Sequence, residues 1–108
     1  MAHYLIQGGY ALEAWAGLVK NPEDRTAAVR AAFESLGGRL DALYYTFGAD
    51  DFVVLGEVPG HVEAAAVAIA VASTGRYRNV RTTPLLTAQE VVQAMQAAGK
   101  VSLRPAGT

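Results

Sequence analysis

The sequence predicts an α+β fold in which strand, helix, strand, strand, helix and strand follow one another, with one further helix at the end. Three observations lead there. Glycines and prolines punctuate the chain into segments of strand or helix length. Between them, short apolar runs alternate with segments of helical periodicity. Finally, Ala64 to Thr74 is an uncharged stretch of 11 residues, mostly small. That is about half of the ~20 a membrane-spanning helix needs, so it reads as a helix packed closely on a sheet.

Each element has its own signal. His3 to Tyr10, with Tyr4, Leu5 and Ile6 ahead of Gly8-Gly9, is a first strand. Leu12, Trp15 and Val19 recur on one face of a short helix. Asn21-Pro22-Glu23-Asp24 reads as a helix restart, with Asn21 as cap, Pro22 at the first helical position and two carboxylates at the positive end of the dipole. Val29, Phe33 and Leu36 form the apolar line of this second helix, and Gly37-Gly38 stops it. Leu40 to Phe47 and Phe52 to Val58 form a hairpin around the turn residues Gly48-Ala49-Asp50-Asp51. After Pro59-Gly60, the residues Val62, Ala65, Ala66, Ile69 and Ala72 mark a helix closed by Gly75. Tyr77 to Thr83 is a fourth strand, and its polar content suits a sheet edge. Thr87-Ala88-Gln89-Glu90 is a capping box for a last helix ending at Gly99, with Leu86 placed to staple onto Val91. The order is that of the split βαβ or ferredoxin-like fold. Residues 1–100 read as a single domain and residues 101–108 as a C-terminal tail.

Composition narrows the function classes. The chain has 108 residues, nine basic and ten acidic, for a net charge of -1. No run of like charge offers a footprint for nucleic acid or an anionic membrane, so neither partner is expected. There is no cysteine, hence no disulfide framework, thiolate nucleophile or cysteine-zinc site, and a cytoplasmic location suffices. The N-terminus lacks the basic and apolar regions of a signal peptide. Hydrophobic residues make up 52% of the chain, yet 21 of them are alanine and only 27 are Val, Ile, Leu or Phe. The core must therefore be built from elements that approach closely.

The strand faces point to association. Helices can cover only one face of such a sheet, and the other should alternate with polar residues in a monomer. Instead Phe52, Val54, Gly56 and Val58 lie on one face of the third strand, and Val53, Leu55 and Glu57 on the other. In the second strand, regular alternation sets Leu40, Ala42, Tyr44 and Thr46 against Asp41, Leu43, Tyr45 and Phe47. Two-sided apolar strands ask for a partner, and a homodimer packed sheet against sheet is the simplest closure.

Candidate chemistry is sparse. His3, at the start of a central strand, could act as a general base or ligand near neutral pH, or be a plain strand end. His61 follows Pro59-Gly60 at a helix start, where a capping or solvent role is the simpler reading. Asp51 is the second candidate catalytic group, although Asp50-Asp51 also suits a hairpin turn. Tyr10, Trp15, Tyr44 and Tyr45 could line a ligand pocket, each with an apolar body and a polar tip. Of the basic strip Arg76, Arg78 and Arg81, Arg81 could anchor an anion. Gly8-Gly9 and Gly37-Gly38 lack the spacing of a phosphate-binding loop. No metal cluster at ligand spacing and no cofactor motif is present, so neither a metal nor a cofactor is expected.

Several of these pieces together resemble a known family. Gln7-Gly8-Gly9-Tyr10, Asn21-Pro22-Glu23-Asp24-Arg25, Leu36-Gly37-Gly38, Tyr44-Tyr45-Thr46-Phe47-Gly48 leading to Asp51, Glu57-Val58-Pro59 and Thr83-Pro84-Leu85-Leu86-Thr87 resemble, in order and spacing, the small bacterial GYD-domain proteins. The resemblance runs from Tyr4 to about Gly99 and implies a ferredoxin-like subunit of the dimeric α/β barrel type. It implies no reaction. Ala49-Asp50-Asp51 stands where the naming Gly-Tyr-Asp is usual, so Asp50 replaces the motif tyrosine, and Ala11 replaces a threonine after Tyr10.

Two functions of different kinds fit. One is a homodimeric small-molecule-binding module or cofactor-independent enzyme, with its cleft between sheet and helices. By fold-level analogy such a cleft hosts oxygenases and isomerases. The other is a structural or regulatory oligomerisation protein whose function is its interface.

Overall fold

A computed structural model describes residues 1–108. In chain order the elements are β1 (Ala2–Tyr10), α1 (Leu12–Lys20), α2 (Thr26–Glu34), β2 (Arg39–Tyr45), β3 (Phe52–Val58), α3 (His61–Ser73), β4 (Tyr77–Leu85) and α4 (Ala88–Ala98). The four strands form one antiparallel sheet in the order β2-β3-β1-β4, with β1 and β3 central. This is the ferredoxin-like arrangement, with α4 added at the end. No helix is long and apolar enough to cross a membrane.

Helices cover one face of the sheet. Tyr4 and Ile6 of β1 and Phe52, Val54 and Val58 of β3 are buried there with Phe33 of α2 and Ala64 and Val67 of α3. Close approach depends on Gly56: a Cβ at this position would lie 2.5 Å from the Phe33 ring. Its absence lets the ring rest on the strand and bring α2 down onto the sheet. Gly37 (φ 74°) and Gly75 (φ 66°) adopt the left-handed conformation and stop α2 and α3 as their sequence positions predict. Thr87 and Glu90 close the expected capping box, each side chain accepting from the other's backbone N–H at 3.1 and 2.8 Å. Leu86 is exposed.

Several details differ from the sequence reading. The restart at Asn21-Pro22 is displaced: α2 begins at Thr26, whose N–H donates to the Asp24 carboxylate at 2.9 Å, so Asp24 rather than Asn21 meets the helix start. The α1 face also turns. Leu12 and Val19 are exposed, and Ala14 and Leu18 face the sheet. On α3 the inward residues are Ala64, Val67 and Val71, whereas Val62 and Ile69 are exposed. In β2, a bulge between Leu40 and Ala42 leaves Asp41 without a partner in the ladder. Leu40, Leu43 and Tyr45 therefore share the helix-covered face, opposite Gly56, Val54 and Phe52. β4 runs on through Pro84, which an edge strand tolerates because one side of it needs no ladder donor.

The other face carries His3, Leu5 and Gln7 of β1, Val53, Leu55 and Glu57 of β3, and Ala42 and Tyr44 of β2. No helix lies on its apolar centre.

Candidate functional site

Between the sheet and helices α2 and α3 lies a cavity of about 130 Å³. Thirteen of its fourteen lining residues are hydrophobic, among them Ile6, Val29, Phe33, Val54, Val67 and Val71. The exception is Arg25. Tyr10, Tyr77 and Arg25 also line a second, more polar cavity of about 340 Å³, which includes Glu13, Glu23 and Arg76. The three shared residues form the wall common to the apolar chamber and a charged vestibule. Arg25 is paired with Glu23 at 3.2 Å.

Tyr10 stands at the centre of this end of the molecule. Its ring packs on Phe52, Tyr77 and Trp15 at centroid distances of 5.4, 5.3 and 5.0 Å, edge-on to the last. Its hydroxyl shares a hydrogen bond of 3.2 Å with that of Tyr45. Burial, with this bond to Tyr45, pushes the Tyr10 phenol far above its ordinary pKa, so it is neutral at any physiological pH. A neutral phenol both donates and accepts.

Asp51 holds the surrounding elements together. One carboxylate oxygen accepts from the Tyr10 backbone N–H at 2.9 Å, the Trp15 indole at 3.0 Å and Arg78 at 3.2 Å. The hairpin is thereby tied to β1, α1 and β4 at once. The Tyr10 N–H most of all, followed by the Trp15 and Arg78 donors, outweighs partial burial and holds this carboxyl below the usual range. Gly9 makes room for the hub, since a Cβ there would come within 2.5 Å of the Arg78 guanidinium and 2.7 Å of the Asp51 carboxylate. Beside the hub, Arg81 is engaged by Asp50 at 2.7 Å.

The structure thus gathers Tyr10, Trp15, Tyr45 and Asp51 into one cluster and separates them from Tyr44, which faces away on the open sheet face. Trp15, Tyr45 and Asp51 also border an open groove that ends at the fully exposed Phe47. The sequence reading missed Arg25 and Tyr77. A lone arginine in the turn after Asn21-Pro22 and a tyrosine opening β4 carry no motif. The pairing of Tyr77 with Tyr10 in the ladder brings Tyr77 to the site, and the turn before α2 brings Arg25.

His3 lies at the far end of β1, on the open face. Directly across the ladder is Glu57, with His3 Nε2 3.7 Å from a carboxylate oxygen, and beyond Glu57 is Arg39. Arg39 donates to Glu57 and, at 2.9 Å, to the bulge residue Asp41. His3, Asp41 and Glu57 each offer a ligand atom, all within 4.8 Å of one another, a set that could hold a metal ion. The Arg39 guanidinium already supplies these carboxylates with a cation. His61, the second histidine, is bonded through Nδ1 to the hydroxyl of buried Tyr4 at 3.0 Å.

Fold and site together define a ferredoxin-like α+β domain with an apolar chamber under its helices. The family model of the GYD domain matches residues 4–95, and the chain belongs to that family. No match was found among curated proteins or among solved structures.

Proposed function

We propose that this protein is a homodimeric, cytoplasmic module that binds a compact apolar small molecule in the chamber between sheet and helices. The observation that carries the reading is the chamber itself: about 130 Å³ of apolar space, with Tyr10, Tyr77 and Arg25 where it meets the charged vestibule. An apolar cavity of ~150 Å³ stays dry and accepts a benzene-sized guest. The ligand is accordingly a single ring or a branched aliphatic group, with a polar or anionic end directed to Arg25 and Tyr10. Binding is favoured over proton transfer because the Tyr10 phenol stays neutral and one Asp51 oxygen is already occupied by three donors. Sheet-to-sheet pairing is supported by the apolar centre of the open face, Leu5, Val53 and Leu55.

The test is a titration with benzoate, phenylacetate and isovalerate, followed by methyl NMR of Val54, Val67 and Val71. Saturable shifts at these methyls, lost in Ala32→Phe, which fills the chamber from α2, are expected. Absence of any methyl shift up to millimolar concentrations of all three probes would overturn the reading.

A further inference from the structure

α4 stands apart from the body of the fold. None of its residues is buried, and the chain is 58 Å long with a radius of gyration of 17.4 Å, against about 13 Å for a compact chain of this length. An isolated helix of its 11 residues falls short of the ~12–15 at which helices are even marginal in water. Val92 and Met95 are nevertheless exposed along one side, and Val101 and Leu103 follow. Glu90 is the helix's only charged residue. The cationic face with which amphipathic helices approach lipid is missing.

The surface area says what kind of partner is needed. The chain exposes 7495 Å², whereas a compact monomer of 11.3 kDa exposes about 5,700 Å². The excess is about 1,800 Å² per copy. Two copies would hide about 3,600 Å², within the ~2,000–5,000 Å² of obligate homodimers. The arm also leaves the sheet beside the open face, since Leu85, the last residue of β4, pairs across the ladder with His3. His3 belongs to that face, and Glu90 in the first turn of α4 lies within electrostatic reach of His3 and the N-terminal ammonium.

We propose that α4 and the segment through Leu103 lie against a second copy of this chain, so that two copies exchange arms around their paired open faces. The exchange rests on the homodimer reading above and extends it. Each arm gains the apolar cover that its own body does not provide, and each sheet margin gains a helix.

The experiment compares the full-length wild type with the double variant Val92→Asp/Met95→Asp by sedimentation equilibrium, with circular dichroism as a check on the body. Neither side chain is buried, so the body is expected to keep its spectrum. The dimer is expected to weaken at least 100-fold, and the α4 amides, protected from hydrogen exchange in the wild type, are expected to lose protection. A wild type that is monomeric at micromolar concentration would remove the homodimer reading and the exchange with it. A dimeric wild type whose dissociation constant changes less than twofold in the double variant would overturn the arm exchange alone.

Discussion

The two faces of the sheet are built from the same strands and similar residues, yet they meet different fates. On the helix side, Ile6, Phe52, Val54 and Val58 are buried under α2 and α3. On the other side, Leu5, Val53 and Leu55 remain half-exposed, and the buried polar residue is Glu57, flanked by His3 and Arg39. The first face makes the fold and encloses the chamber. The second leaves its apolar area without a helix over it. Apolar content alone therefore does not distinguish the covered face from the open one in this protein.

Breaking each face separately should give different phenotypes. The largest expected effect is on the covered face: Phe33→Ala removes the ring that rests on Gly56 and should cost about 3–5 kcal/mol of unfolding free energy in a urea titration. A loss below about 1 kcal/mol would mean that α2 does not anchor the core. On the open face, Val53→Asp/Leu55→Asp should leave the helical spectrum in place but weaken the proposed dimer by about 100-fold, ~2.8 kcal/mol, in sedimentation. Unaltered dimerisation would move the interface elsewhere.

The hub at the end of β1 sharpens the comparison at smaller scale. Asp51→Asn keeps the shape but loses the charge and should cost about 1–3 kcal/mol at pH 7. Because the folded carboxyl titrates below its unfolded value of about 3.9, its contribution is present above that pH and is lost as pH falls through the folded value. Acid unfolding of the variant should accordingly show a shallower stability slope below pH 4, and an unchanged slope would show that the hub does not titrate with folding. The smallest effect is expected from Trp15→Phe, which gives up one hydrogen bond, about 1 kcal/mol. Trp15 is also the sole tryptophan, so wild-type fluorescence should follow protonation of Asp51 directly.

The element order was legible because turn chemistry is local: Gly37, Gly75 and the Thr87 capping box act within a few residues of themselves. Facing was less legible. α3 is apolar nearly all round, so Val62 and Ile69 were as good candidates for the core as Val67 and Val71, and only packing distinguishes them. For Tyr44 and Tyr45, adjacency in a strand already requires opposite faces, but which one turns inward depended on a bulge that no residue type announces. The site divides in the same way. Tyr10, Trp15, Tyr45 and Asp51 could be proposed from aromatic and turn signals, whereas Tyr77 joins them through β4 pairing with β1 and Arg25 through the packing of the turn before α2.

The bulge in β2 has a further consequence for the tolerance of the sheet to change in length. Without Asp41, the residues Leu40, Ala42, Leu43, Tyr44 and Tyr45 alternate strictly between the faces while facing the same partners on β3. A one-residue deletion inside a strand ordinarily turns every following side chain to the wrong side. Here it would remove one acid beside Arg39 and leave each apolar group on the face it already occupies, making position 41 the place where β2 can shorten without exchanging core for surface.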